Sequence, residues 1–277
     1  MPYCEVSPGV RLYVQDFGDG LPIVFVNAGQ VTHRMWESQV AHFAGAYRTI
    51  TWDWRGTGNS DKPPAGYTVE TCTENLCALI ERIDAAPARL VAHGIGTHVA
   101  LLAAAARPDL VAALVLVSAA PWFAGERDGV AGGVSQAFLD YLARGNAMQD
   151  ERGIPYAQAC EELGDWLFHR PQRSAVMQWL LDQAFSWPQF VINAYARSMR
   201  DLDHRERMRT LDCPTLIIQG RHDRKQRYEG AVYMAQCIRG ARLVTLEDSA
   251  HMGEIEEVGN FNRHVEAFLA GLSNPGS

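Results

Sequence analysis

The residues Leu90-Val91-Ala92-His93-Gly94-Ile95-Gly96-Thr97-His98 decide the fold. A short apolar run, Ala88 to Ala92, leads into them, and an alanine-rich stretch, Val99 to Ala106, leads out. The first has the length and composition of a buried strand, the second those of a helix. Two glycines at the junction predict a sharp strand-to-helix turn that holds out the residue at its apex. Glycine adopts the left-handed backbone of such a turn without steric cost. The apex residue, position 94, is itself glycine.

Upstream, strand and helix signals alternate. Residues 1–20 read as two short strands; Val10-Arg11-Leu12-Tyr13-Val14 is the clearer, closed by Gly18-Asp19-Gly20. Pro22 to Val26 is a continuous apolar run, as expected of a strand covered on both faces. The loop Asn27-Ala28-Gly29-Gln30, a helix over 34–44 and a strand over 47–52 follow. The turn Asp53-Trp54-Arg55-Gly56-Thr57-Gly58-Asn59-Ser60 then reads as a structural tie, since its glycine spacing matches no phosphate loop. Val69, Leu76, Leu79, Ile80 and Ile83 predict an amphipathic helix over 68–84. Leu114 to Ser118 is the next strand.

The alternation stops after Pro121. Residues 122–207 carry helical segments (134–144, 156–169, 172–184 and 188–200) and many aromatic residues. It resumes with a strand over 213–220, the loop Arg221-His222-Asp223, a helix over 228–238, a strand over 241–246, the loop ending Ser249-Ala250-His251, and a helix over 258–270. The expected class is therefore α/β with a mostly parallel sheet, because repeated strand-helix-strand units cross over in one hand. Residues 1–121 and 208–277 would form one core, and 122–207 a helical cap inserted between its halves.

Composition narrows the function. Of 277 residues, 47% are hydrophobic and 21% charged, as in an ordinary globular protein. The net charge of −7 disfavours a nucleic-acid partner. Six scattered cysteines, Cys4, Cys72, Cys77, Cys160, Cys213 and Cys237, form no C-x-x-C pair and predict neither a metal centre nor a disulfide framework. Reduced thiols suit a cytoplasmic protein. No basic-then-apolar leader and no run of 18 apolar residues point to secretion or to a membrane.

Five stretches together resemble the α/β-hydrolase superfamily over nearly the whole chain: Val24 to Gly29, Asp53 to Ser60, the turn at 92–96, Gly220-Arg221-His222-Asp223, and Ser249-Ala250-His251. Within it the chain looks most like the 3-oxoadipate enol-lactonases, cofactor-free haloperoxidases and related esterases with a helical cap. The resemblance makes the turn a nucleophile elbow, G-x-S-x-G in that superfamily. It puts Gly94 at the nucleophile position, His251 at the catalytic histidine and Asp223 at the acid that orients it. It draws an oxyanion hole from the backbone N–H groups of Ile95 and Gly29, and implies no metal and no organic cofactor. Two departures stand out: the serine is replaced by Gly94, and Asn27-Ala28 stands where His-Gly is usual.

An aspartate-paired His251 reads as a general base. Gly94 cannot attack. Thr97 and His98 are expected to be packed, His93 to be scaffold, Ser118 is a weak substitute nucleophile, and His33 and His42 read as surface or loop residues. His222 adjoins the acid loop. Asn27, Trp122, Phe123, Trp166 and Trp187 are candidates for the pocket wall. Four readings stay open: a hydrolase using water in place of serine; a non-hydrolytic enzyme such as a cofactor-free dioxygenase, lyase, decarboxylase or cyclase; a serine hydrolase carrying a serine-to-glycine change; and a ligand-binding protein without turnover. The first is the leading expectation, with a small apolar ester, lactone or activated C–C bond as substrate. The expected partner is that small molecule, with no nucleic acid, no membrane, and a homodimer left open.

Overall fold

The computed structural model describes residues 2–143 and 163–272. Eight strands form one sheet: β1 (Tyr3–Ser7), β2 (Val10–Phe17), β3 (Pro22–Val26), β4 (Arg48–Trp52), β5 (Ala88–His93), β6 (Val111–Val117), β7 (Thr215–Gly220) and β8 (Arg242–Leu246). Their spatial order is β1-β2-β4-β3-β5-β6-β7-β8. β1 and β2 pair antiparallel, and β2 runs antiparallel to β4; from β4 to β8 all pairs are parallel. All six residues of β5 are buried, Arg89 and His93 included, which matches its mainly apolar sequence and its central place. The chain leaves β3 for β4 on one side and returns to place β5 on the other. Ligands in open α/β sheets bind beyond the carboxyl ends of strands at such a reversal. The loops after β3 and β5 meet there.

Helices cover both faces. On one lie α2 (Val69–Arg82) and α3 (Gly96–Ala106), whose Leu76, Leu79, Val99 and Leu101 join the first core with Leu90 and Leu114. Thr68 caps α2, its side chain accepting from the Thr71 N–H at 3.1 Å, a contact of about 1 kcal/mol. Truncating Leu79, fully buried in this core, would cost about 2–5 kcal/mol. On the other face, α1 (Glu37–Phe43) and the C-terminal helix pack Phe43, Phe261 and Val265 against Phe25, Val91 and Val115. The single helix expected over 34–44 is a 3-10 turn, His33–Trp36, followed by α1. Tight 3-10 turns commonly lead into helices.

Between β6 and β7 the described residues are helical at 136–143 and in α4 (Leu163–Leu167), α5 (Ser174–Ala184), α6 (Gln189–Met199) and α7 (Arg205–Arg209). Much of the helix expected over 156–169 lies outside the described residues, as does Cys160. Val191 and Tyr195 of α6 join the first core, and Leu180 of α5 the second. After β7 come α8 (Tyr228–Cys237), α9 (Gly253–Glu256) and α10 (Val258–Ala270). The turn after β4 is a tie: Asp53 accepts from the His33 backbone N–H and imidazole Nδ1, both at 2.8 Å, and from the Asn59 N–H at 2.8 Å. His33 is thereby buried, not at the surface; His42 is exposed. No helix among the described residues is long and apolar enough to cross a membrane.

Candidate active site

β5 ends at His93 and α3 begins at Gly96, so Gly94 and Ile95 alone make the turn. Gly94 has φ +55°, a conformation that costs an L-residue about 1–2 kcal/mol. Its N–H donates to the Val117 carbonyl at 2.9 Å, and its carbonyl accepts from the Thr97 N–H at 3.0 Å and the Thr97 hydroxyl at 2.6 Å. Gly96 is required for a different reason. A β-carbon there would lie 2.4 Å from the Asn27 carbonyl oxygen, so α3 can approach β3 only without a side chain. A β-carbon on Gly94 would meet ordinary contacts: His251 Nε2 at 3.6 Å and Ala28 Cβ at 3.7 Å.

His251 lies in the loop between β8 and α9, buried, with Nδ1 2.9 Å from Asp223 Oδ2. Asp223, after β7, also accepts from the backbone N–H groups of Lys225 at 2.9 Å and Gln226 at 2.8 Å, and from Gln219 Nε2 at 3.1 Å. These donors saturate the carboxylate and fix it against the imidazole. Burial holds His251 below its usual value, the Lys225 charge adds to this, and Asp223 opposes it. The imidazole is therefore neutral near pH 7. It donates from Nδ1 and presents Nε2 as an acceptor that no described protein group engages.

The histidine's own backbone is also anchored. Its carbonyl accepts from the Ser118 hydroxyl and from His93 Nε2, each at 2.8 Å. Ser118 is thus occupied with the scaffold, and Thr97 and His98 are buried. His98 Nδ1 meets His204 Nε2 at 2.8 Å. Behind His93 lies Glu254, fully buried, its Oε2 3.9 Å from His93 Nε2, beyond hydrogen-bond range. Desolvation pushes its carboxyl up to about 8, so it is largely protonated at neutral pH. Sequence reading singled out neither Glu254 nor Lys225.

Gly29 and Ile95 are adjacent: a β-carbon on Gly29 would lie 2.9 Å from Ile95 Cδ1. Neither backbone N–H donates to a protein acceptor among the described residues. Ala28, whose Cβ would lie 3.7 Å from a β-carbon on Gly94, turns its N–H to the Met35 sulfur at 3.3 Å. Two N–H groups without a protein acceptor can receive developing negative charge on a carbonyl oxygen.

The five candidate wall residues scatter. Asn27 is buried and donates its amide to the Trp52 carbonyl at 2.6 Å. Trp122 packs its ring against Tyr233 and Arg205, and its N–H donates to the Gly125 carbonyl. Phe123, half-buried, packs between the first core and a small cluster of Val134, Phe138 and Tyr141. Trp166 joins that cluster, its ring 5.3 Å from Phe138. Trp187 donates to the Val31 carbonyl at 2.9 Å and packs on Trp54 and Tyr195, bracing the loop after β3. His222 is exposed and stacks on His169. Among the described residues, no three His, Cys, Asp or Glu side chains cluster as a metal site would require.

Comparison with known proteins gives this geometry a context. Residues 23–261 match the model of the Alpha/beta hydrolase family. The chain is 27% identical to the AB hydrolase superfamily protein YisY of Bacillus subtilis, covering 96% of this chain and 98% of that protein. It is 28% identical to a non-heme chloroperoxidase of Streptomyces lividans, covering 88% and 91%. An esterase from Exiguobacterium antarcticum superposes with a TM-score of 0.88 at 25% identity, covering 97% of this chain and 99% of that one.

Proposed function

The chain belongs to the alpha/beta hydrolase family, and on that premise we propose that it hydrolyses a small apolar ester or lactone with water, not a side chain, as the nucleophile. One observation carries the reading: a buried, neutral His251 whose unengaged Nε2 is aimed at the apex glycine. In the proposed reaction Nε2 takes a proton from a water molecule at the apex. The water oxygen bonds to the carbonyl carbon, and the carbonyl electron pair moves to oxygen, which the N–H groups of Gly29 and Ile95 receive. Asp223 stabilises the imidazolium. Collapse of the tetrahedral intermediate expels the alkoxide, which takes the proton back from Nε2. The products are an acid and an alcohol, and no acyl-enzyme forms. The helical segment between β6 and β7 is the proposed cap over the substrate.

The esterase likeness supports the carbonyl chemistry, and Gly94 is what sets the proposed mechanism apart. Stopped-flow hydrolysis of a short p-nitrophenyl ester should show linear release with no burst, and intact-mass analysis no acyl adduct. His251→Ala should lower the rate by about 10²–10⁴-fold at an unchanged fold. A burst equal to the enzyme concentration would overturn the water mechanism. Failure of the wild type to hydrolyse any short ester or lactone would overturn the hydrolase reading.

A further inference from the structure

We propose that Glu256 is a positioning residue for the His251 imidazole, and that residues 165–170 act through it as a clasp that keeps the His251–Asp223 pair in register. The proposal rests on the hydrolase reading for the imidazole's role as base, but not for the coupling itself.

His251 sits in a loop, and a loop keeps one shape only where its backbone N–H groups find acceptors. Glu256, the last residue of α9, supplies acceptors in two directions. Its Oε2 accepts from the Ala250 N–H at 2.7 Å, directly before His251. Its Oε1 accepts from the backbone N–H groups of His169 at 2.8 Å and Arg170 at 3.2 Å, on the segment between β6 and β7. One carboxylate thus joins two distant stretches of chain, one oxygen to each. Glu257, the next residue, holds the loop from within instead: it accepts from the Asp248 N–H at 3.1 Å and the Ser249 hydroxyl at 2.6 Å.

The other contacts of residues 165–170 repeat the pattern. The Leu167 carbonyl accepts from the Met252 N–H at 3.0 Å, directly after His251. Arg224, directly after Asp223, donates to the Asp165 carbonyl. His169 stacks on His222, directly before Asp223, with ring centres 3.7 Å apart and planes 8° from parallel. The segment therefore holds the chain on both sides of His251 and on both sides of Asp223. Leu167 and Phe168 seat it, buried in the second core with Met252. Arg170 adds an exposed pair with Asp248, which contributes little. If the segment lifts, Met252 loses its acceptor, and Glu256 loses the two N–H groups that steer its carboxylate. The 2.9 Å bond from His251 to Asp223 then lacks its outer support, so the base is aimed only beneath a seated segment.

Two variants and two readouts test this. Glu256→Gln keeps the shape but offers one acceptor oxygen and one donor amide, so one of the two links must break. His169→Ala/Arg170→Ala removes the stack and the ion pair from the other side and leaves Glu256 in place. The first readout is the far-downfield proton resonance of His251 Nδ1–H, identified by its absence in His251→Ala, which needs no turnover. The second is kcat and KM for a short p-nitrophenyl ester, with melting temperature reporting the fold. Glu256→Gln should broaden or erase the resonance and lower kcat by about 10- to 100-fold, as expected when a reacting group is misplaced, with little change in KM. The double variant should move both readouts the same way by a smaller factor. A wild-type resonance and kcat in Glu256→Gln, or a raised KM at unchanged kcat, overturns the proposal and leaves Glu256 a tie within the fold. If Glu256→Gln does not fold, an unaltered resonance and kcat in the double variant overturns it equally. Loss of the resonance in both variants of a protein that hydrolyses no ester would sustain the clasp and overturn the hydrolase reading.

Discussion

His251 Nε2 stands 3.6 Å from the point that a β-carbon on Gly94 would occupy. The two residues come from strand ends separated by β6 and β7 in the sheet, and each is held by its own bonds. The imidazole is therefore aimed by Asp223, Ser118 and His93, and not by any group at the apex. An apparatus that points an imidazole without help from a nucleophile can serve water equally well.

The pH-rate profile follows from what surrounds that imidazole. Burial and Lys225 hold His251 below its ordinary value near 6.5, so the imidazole is unprotonated throughout the neutral range. Activity should rise with pH along an acid limb whose midpoint lies below 6.5, and be level at pH 7. Asp223→Asn removes the charge that opposes the shift. It should move the limb further down while lowering the plateau by about 10²–10⁴-fold, as the tautomer is lost. A midpoint above 6.5 in the wild type would contradict this account.

Stability should have its own pH dependence, with two opposing parts. His93, His98, His204 and His251 are all held below 6.5 by burial, His204 to about 4. The unfolded chain takes up protons there that the folded chain refuses, so their contribution falls as pH drops below 6.5. Glu254 acts in the other direction. Its folded value, about 8, lies above the ordinary 4.5, so its contribution is complete below 4.5 and is lost as pH rises through about 8. Glu254→Gln should raise the melting temperature at pH 8 more than at pH 5, by on the order of a few kcal/mol in stability. An equal change at both pH values would mean that Glu254 finds a partner when ionised.

The sheet was legible because its signals are local. Mainly apolar runs at β3, β5 and β7 mark strands covered on both faces, and paired glycines mark the turn after β5. The superfamily resemblance grouped Gly94, Asp223 and His251, and parallel strands deliver their loops to the same sheet edge, where His251 lies against both of the others. Other features depend on distant contacts. His33 looks like a loop residue until Asp53, twenty positions on, takes both its backbone N–H and its ring. Lys225 reads as an ordinary surface charge until Phe138 closes over it. Glu254 follows His251 among other acids, and nothing in that run says which carboxyl turns inward. Aromatic residues between β6 and β7 carry no sequence mark separating a pocket wall from packing; Trp122 and Trp187 are satisfied within the scaffold.

Gly94→Ser asks whether the apex accepts a nucleophile. A β-carbon fits, since its neighbours would lie at 3.6–3.9 Å. The backbone objects: φ +55° suits glycine, so serine should cost about 1–2 kcal/mol of stability. The new hydroxyl would stand beside His251 Nε2, with the free N–H groups of Gly29 and Ile95 nearby to receive an oxyanion. If this site differs from a serine hydrolase by one side chain, the variant should hydrolyse p-nitrophenyl esters through an acyl-enzyme. It would show a burst that the wild type lacks, and a phosphonate should label residue 94. The water mechanism adds a second expectation for the same variant. The hydroxymethyl group takes the place of the attacking water, so turnover of the wild type's preferred substrate by direct attack should fall as the burst appears. A variant with neither burst nor label, and with wild-type turnover intact, would mean that water attacks from elsewhere and that the apex has no part in the chemistry.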